Sequence, residues 1–185
     1  MTNTQSLKVG DKIIRFGKVY EIFKLVEEKN PETEELEKVI YFKPVYESRE
    51  SQTLICSIAL SNLELTDIRR PLTGEEVDEL LDFLKSKIKM KNRFNTRSAK
   101  ELIKSNEPKK IAMILKKLAI VKRDPDINFT YTKKRLFKSA LKKLQEEVAL
   151  VKGVSTKEAQ EMIIEILKHQ AAKSFILSDD EDLDD

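Results

Sequence analysis

The chain has 185 residues, of which 40% are hydrophobic and 36% charged, and its formal net charge is only +3. This length suits one domain or two small ones, and no apolar run approaches the roughly 20 residues that span a bilayer. The N-terminus lacks the apolar stretch of a signal peptide, and a single cysteine, Cys56, excludes an internal disulfide framework and a cysteine-based metal cluster. These features indicate a cytoplasmic protein.

The first 70 residues are predicted to be rich in β-strands. Four short runs carry many Ile, Val, Phe and Tyr residues, and turn-forming or charged segments separate them. The runs cover residues 12–16, 19–26, 38–45 and 53–58. Four or five short antiparallel strands in this length predict a small barrel or a curled sheet rather than a sandwich. Within the strands, Cys56 is expected to be a buried small hydrophobe, and Tyr41 and Phe42 are expected to be core or half-buried.

After Pro71 the apolar residues follow helical spacing. Thr73 and Glu76 form a capping box, and Ser155 and Glu158 form a second one. Helices are predicted from these two boxes, at residues 98–103, from Pro108, and at residues 132–151. The result is an α+β fold with a β-rich module at residues 1–70 and an all-α domain of about five helices at residues 71–175. An acidic tail at residues 176–185 is predicted to be disordered.

The sequence offers little that could support catalysis. The only histidine, His169, has no cysteine or second histidine to complete a dyad, and no G-x-S-x-G elbow surrounds any serine. Four glycines allow neither a P-loop nor a dinucleotide fingerprint. The acidic pair Glu75-Glu76 is interpreted as a capping feature, and Glu146-Glu147 is interpreted as a solvated helix face. We therefore predict a protein that is not an enzyme, with no cofactor, no metal and no small-molecule substrate.

Basic charge is concentrated between residues 85 and 143, where 20 Lys and Arg stand against 4 acidic residues. A block of this kind indicates a polyanionic partner, although ordinary solvated Lys-rich faces are the alternative. The segment at residues 89–97 mixes bases with amides, a hydroxyl and Phe94, which would pack either on a base or sugar or between two helices. No groove-reading motif is present, so weakly selective binding to the DNA backbone is expected.

Three segments in order resemble the CarD/CdnL family of bacterial transcription regulators. They are residues 7–14 (LKVGDKII) with Gly17 following, residues 67–72 (DIRRPL) running into residues 75–81, and residues 129–136 (FTYTKKRL) followed by residues 146–150. The first segment also resembles the polymerase-interacting module of transcription-repair coupling factors. The resemblance extends from about Leu7 to Leu167.

The resemblance implies a Tudor-like first module that docks on the β subunit of RNA polymerase. It also implies a helical domain that contacts double-stranded promoter DNA at the upstream edge of the bubble and stabilises the open complex, in a monomer associated with the nucleoid. The polymerase-binding residues predicted in this way are Lys24, Tyr41, Thr53, Leu54, Ile55 and Ser57. The DNA-binding residues predicted from the resemblance and the basic block are Asn92, Arg93, Phe94, Arg97, Lys100, Lys133, Lys134 and Arg135.

The sequence also departs from the family. Many members carry a tryptophan that wedges into the minor groove, whereas this chain has no Trp. The position falls on Asn92, with Phe94 as a possible substitute, and Ile55 replaces a basic residue that contacts polymerase. Two other functions therefore stay open: an architectural DNA-binding protein without a polymerase contact, and a module that binds an acidic protein. The acidic tail would either compete with DNA for the basic block or keep the chain soluble.

Overall fold

A computed structural model describes residues 7–30, 34–46, 53–87 and 94–168. Four β-strands come first, a 3-10 helix follows, and five α-helices complete the described chain, which confirms the α+β class. The elements are β1 (Lys12–Arg15), β2 (Lys18–Lys29), β3 (Leu36–Pro44), β4 (Cys56–Ala59), the 3-10 helix (Leu60–Leu65), α1 (Gly74–Lys85), α2 (Thr96–Lys104), α3 (Pro108–Arg123), α4 (Tyr131–Lys152) and α5 (Thr156–Lys168). No described helix is both long enough and apolar enough to cross a membrane.

The strands form one antiparallel sheet in the order β1-β2-β3-β4. Among the described residues β1 and β4 do not pair with each other, so the sheet is open and no closed barrel is seen. A bulge between Ile22 and Lys24 shifts the register of β2 against β3. One face packs into a small core that includes Ile13, Ile22 and Phe42. Cys56 packs against the same core, as a small hydrophobe would, but it is half-buried where the sequence predicted a buried residue. The 3-10 helix was not predicted from the sequence.

The helix ends follow local signals that are visible in the sequence. Thr73 and Glu76 complete the capping box of α1, and Ser155 and Glu158 exchange the same two hydrogen bonds at the start of α5. Pro108 occupies the first turn of α3, and Gly153 ends α4 with a φ of 66°. Each predicted helix is therefore present, and α4 packs against all four other helices in a single core.

The β-module and the helical domain meet through a bidentate ion pair. Arg69 follows the 3-10 helix, and its Nη1 and Nη2 atoms donate to the two carboxylate oxygens of Glu147 on α4 at 2.6 and 2.7 Å. The backbone N–H of Leu72 donates to the same carboxylate at 2.8 Å. Arg69 also pairs through its backbone with Ile14 of β1. The helical domain is thus tied directly to the edge strand of the sheet.

A second set of contacts surrounds the β1–β2 turn. The N–H of Gly17 donates to Oδ1 of Asn106 at 2.7 Å, and the N–H of Val19 donates to Oε2 of Glu146 at 3.1 Å. Asn106 in turn donates to the carbonyl of Asp67 at 2.6 Å. A Cβ on Gly17 would lie 2.5 Å from Cγ of Lys143 on α4, so the turn approaches α4 more closely than a larger residue would allow. We call Gly17, Arg69, Asn106, Lys143, Glu146 and Glu147 the inter-module joint.

The interpretation of Glu146-Glu147 as a solvated helix face was therefore wrong. Both side chains are buried, and both accept hydrogen bonds from the β-module. The adjacent positions do point in two directions, but Glu146 points to β2 and Glu147 to the segment after the 3-10 helix. The helix pattern gave no sign of this because the groups that satisfy the two carboxylates lie more than 70 residues away in the chain.

Candidate nucleic-acid interface

A cavity of about 320 Å³ lies between α2 and α4. Two apolar side chains, Ile103 and Leu136, belong to its lining and are buried in the helical core. Its polar lining consists of Lys100 and Lys104 from α2, and Thr132, Arg135 and Ser139 from α4. Three cations and two hydroxyls thus share one concave surface without an acidic lining residue. We call this surface the basic groove.

Helix geometry explains why the cations converge. Lys100 and Lys104 are one turn apart on α2, and Arg97 precedes Lys100 by three residues, so the three lie on one face. Asn95 fixes the start of this helix by accepting from the backbone N–H groups of Arg97 and Ser98. The Arg97 side chain is 91% exposed and forms a loose ion pair with Glu101, with its Nε atom 3.9 Å from Oε1. Its guanidinium is therefore accessible to a phosphate.

On α4, Arg135 faces the groove, and the exposed residues Lys138 and Lys142 continue along a neighbouring stripe of the helix. Lys134 is exposed beside them. Lys133 is half-buried, and its ammonium donates to the carbonyl of Asn128 at 2.9 Å. Its charge therefore helps to hold the start of α4.

Phe94 occupies a half-buried position. It packs against the helical core and against a small cluster formed by Ile120 and Val121 of α3 together with Ile127 and Phe129. This is the packing expected of an apolar side chain that fills the space between two helices. The wedge role stays a prediction, and Asn92 and Arg93 lie outside the described residues.

The predicted polymerase-binding residues lie on and beside the exposed face of the sheet. Lys24, Tyr41 and Ser57 are register partners on β2, β3 and β4, so they form one row across three strands. The Lys24 ammonium lies 5.1 Å from the centroid of the Tyr41 ring. The Tyr41 hydroxyl donates to Glu28 at 2.7 Å, and this hydrogen bond raises the pKa of Tyr41.

Thr53, Leu54 and Ile55 come immediately before β4, and all three are exposed. Ile55 is 62% exposed, which is a large fraction for an isoleucine. Phe23, at the bulge of β2, lies at the same face with its ring centroid 6.4 Å from that of Tyr41. The row and its surroundings therefore expose aromatic and aliphatic side chains beside Lys24, and aromatic residues are enriched at protein interfaces.

Two lysines outside the groove lining and the sheet row also have shifted pKa values. Burial lowers the pKa of Lys143, whose ammonium donates to the carbonyl of Ile103 at 2.8 Å. Burial also lowers the pKa of Lys116, which donates to the carbonyl of Phe83 and the hydroxyl of Ser86 near the end of α1. Within the described ranges no group of three or more His, Cys, Asp or Glu residues is placed to hold a metal ion. These lysines thus serve helix ends and packing.

Sequence reasoning placed Lys100 and Arg135 among the DNA-binding residues, and the structure brings these two together in the basic groove. It does not bring Phe94 into the lining of the groove. The groove is also lined by Lys104, Thr132 and Ser139, which the sequence did not single out, although the four-residue spacing of Lys104 from Lys100 predicted that the two share a helix face.

Residues 79–164 match the family model described as CarD, C-terminal domain. No curated protein matches the chain. The matched range begins within α1, ends within α5, and contains every residue that lines the basic groove.

Proposed function

Because residues 79–164 belong to the CarD family by their match to its C-terminal domain, we propose that this chain is a transcription regulator that joins RNA polymerase to promoter DNA. In this proposal it has no catalytic activity and acts at the nucleoid in the cytoplasm. The sheet binds the polymerase β subunit, and the helical domain binds DNA at the upstream edge of the bubble. The result is a longer-lived open complex.

The basic groove is the observation that carries the DNA half of the proposal. Lys100, Lys104 and Arg135 present three cations on one surface, and the nearby Arg97 adds a fourth. Such a surface gains affinity from the release of counterions around the phosphates and carries little sequence information. This property suits a regulator that meets many promoters at one structural feature, the edge of the bubble.

The polymerase half rests on the exposed sheet face and on the edge strand β4. In the described chain β4 pairs only with β3, so its other edge is available to a strand from a partner. Exposed Leu54 and Ile55 lie at the start of that edge, and the row of Lys24, Tyr41 and Ser57 crosses the adjacent face. That this module is a Tudor-like domain is part of the proposal, and it rests on the family resemblance of residues 7–14.

The inter-module joint explains how the two contacts act together. Its buried ion pair and hydrogen bonds hold the sheet in a fixed position relative to α4, which carries Arg135. A protein docked on polymerase would therefore present the basic groove to nearby DNA at a high effective concentration. A moderate intrinsic affinity for DNA is then sufficient for the groove to be occupied at the promoter.

The decisive experiment measures the lifetime of the open promoter complex with and without the protein. Wild-type protein should lengthen the lifetime, and the double variant K100A/R135A should lose most of that effect. The matched control is K157A, which removes an exposed lysine on α5, away from the groove. The slope of log affinity against log salt for free DNA should fall by about 0.9 for each phosphate contact removed. An unchanged lifetime with wild-type protein would refute the proposal.

One observation favours a second function. Ile55 presents an exposed apolar side chain where a basic polymerase contact is expected from the family resemblance. If the polymerase contact is lost, the chain is an architectural DNA-binding protein. Capture from nuclease-treated lysate distinguishes the two functions, because only the first predicts retention of the β subunit. Tight, salt-sensitive and sequence-indifferent binding to DNA in the absence of retention would support the second.

A further inference from the structure

Tyr131 is an exposed aromatic residue beside the basic groove. It is the first residue of α4, and 76% of its surface is exposed. Within the described part of the chain, no ring packs on its ring and no group bonds its hydroxyl. Its ring is therefore free to contact a partner, and tyrosine is enriched at interfaces because its ring is apolar and its hydroxyl is polar.

The other aromatic residues of the described helical domain are engaged in packing. Phe94, Phe129 and Phe137 are half-buried against the helical core, and the Lys122 ammonium lies 5.4 Å from the centroid of the Phe137 ring. Phe83 packs on the same core and lies under the ammonium of Lys116 at 4.5 Å. Tyr131 is therefore the described aromatic residue of this domain that can reach a ligand without disturbing the fold.

The position of Tyr131 relates it directly to the cations. Arg135 follows one turn later on α4, and side chains four residues apart lie on the same face of a helix. Thr132, the next residue, lines the groove itself. Tyr131 thus stands at the rim of the groove, where a base leaving the stack would lie next to a backbone held by Arg135 and Lys100.

We propose that Tyr131 stacks on an unpaired base of nucleic acid bound in the basic groove, and that it thereby favours bubble-containing DNA over fully paired DNA. This inference rests on the proposed DNA-binding function, and it assigns the aromatic contact to α4 rather than to Phe94. The cations attract any phosphate backbone, whereas the ring gains from a base only when that base is unstacked. Discrimination therefore comes from Tyr131, and affinity comes from the cations.

The test uses full-length protein and two labelled probes, a short duplex with a central mismatched bubble and the same duplex fully paired. Fluorescence anisotropy gives the affinity of wild type, Y131A, Y131F and R135A, with K157A as the control. Y131A should bind the bubble probe roughly five- to 150-fold more weakly, as expected for the loss of one base–aromatic stack worth about 1–3 kcal/mol. Its affinity for the paired probe and its salt slope should stay at wild-type values. Y131F should bind like wild type, because the ring is retained.

The outcomes separate the two proposals. If Y131A binds the bubble probe like wild type while R135A is weakened on both probes, the stacking role is refuted and the groove stands. Equal losses in Y131F and Y131A would also refute stacking, since the hydroxyl would then be responsible. If wild type binds neither probe, both proposals fail. Because Tyr131 is exposed, Y131A should unfold at the same temperature as wild type, and this measurement excludes a folding defect as the cause of weaker binding.

Discussion

The ion pair between Arg69 and Glu147 allows a quantitative prediction for Glu147→Gln. The side chains of Glu147 and Arg69 are 4% and 18% exposed, and two parallel N–H···O bonds of 2.6 and 2.7 Å join them. Glutamine has the same shape and keeps one oxygen as an acceptor for the Leu72 N–H group. It removes the negative charge, however, and turns one acceptor into a donor that faces the guanidinium. The substitution therefore removes the charge and one acceptor while it keeps the shape of the side chain.

Removing one partner of a buried pair costs about 3–5 kcal/mol, because the remaining charge stays desolvated and unpaired. Arg69 retains a partly exposed side chain and its bond to the carbonyl of Asn106. We therefore expect the lower end, about 3 kcal/mol of lost unfolding free energy. For a protein of this size, such a loss lowers the midpoint of thermal unfolding by about 6–12 °C.

Urea unfolding at constant pH measures the free energy, and a thermal scan measures the midpoint. The matched control is Glu161→Gln on α5, where the carboxylate is 65% exposed and pairs with Lys157 at 4.0 Å. An exposed pair contributes about 0–1 kcal/mol, so the control should stay close to wild type. A double-mutant cycle with Arg69→Met then isolates the pair. Equal stability of the Glu147 and Glu161 variants, or a coupling energy near zero, would refute the reasoning.

Two further predictions concern the same joint. Burial raises the pKa of Glu146 above its ordinary value, so the folded state holds its proton more tightly than the unfolded state. The free energy of unfolding should therefore fall as pH rises from the ordinary glutamate pKa through the raised pKa of Glu146. Urea unfolding at a series of pH values measures this, and Glu146→Gln should remove that part of the pH dependence. The same pH dependence in the variant and in wild type would contradict the prediction. Gly17→Ala should cost at least about 1 kcal/mol more than Gly10→Ala, since both glycines have positive φ but only Gly17 faces Lys143. Equal losses in calorimetry would show that the side chain of Lys143 moves aside.

The parts of the fold that follow from nearby residues were predictable from the sequence. The capping boxes of α1 and α5 involve residues three apart, and the apolar spacing of α4 places its buried face without further information. The strands were located by their β-branched and aromatic runs. In each case the residues that determine the element lie within a few positions of one another, so a short stretch of sequence is enough to predict it.

The parts that depend on distant partners could not be predicted. Glu146 and Glu147 look like a solvated pair until β2 and Arg69 are placed against them. The side-chain chemistry of Phe94 fits both a wedge and a plug, and its neighbours on α3 favour packing. Lys100 and Arg135 were chosen for their charge, but their shared groove depends on how α2 crosses α4. The charge of a residue and the spacing of apolar residues can be read from a short stretch of sequence, whereas burial depends on how the whole chain folds.

The arrangement around Asn106 limits how this protein can be dissected. Its side chain holds both Gly17 and the carbonyl of Asp67, and its own carbonyl accepts from Arg69. A fragment beginning at Pro71 would sever all three bonds, and it would leave Glu146 without the Val19 N–H group and Glu147 without the Arg69 guanidinium. Truncation would therefore damage the retained half along with the deleted one. Point substitutions at the exposed sheet face or at the basic groove leave the joint intact, and they are the cleaner way to assign a task to each half.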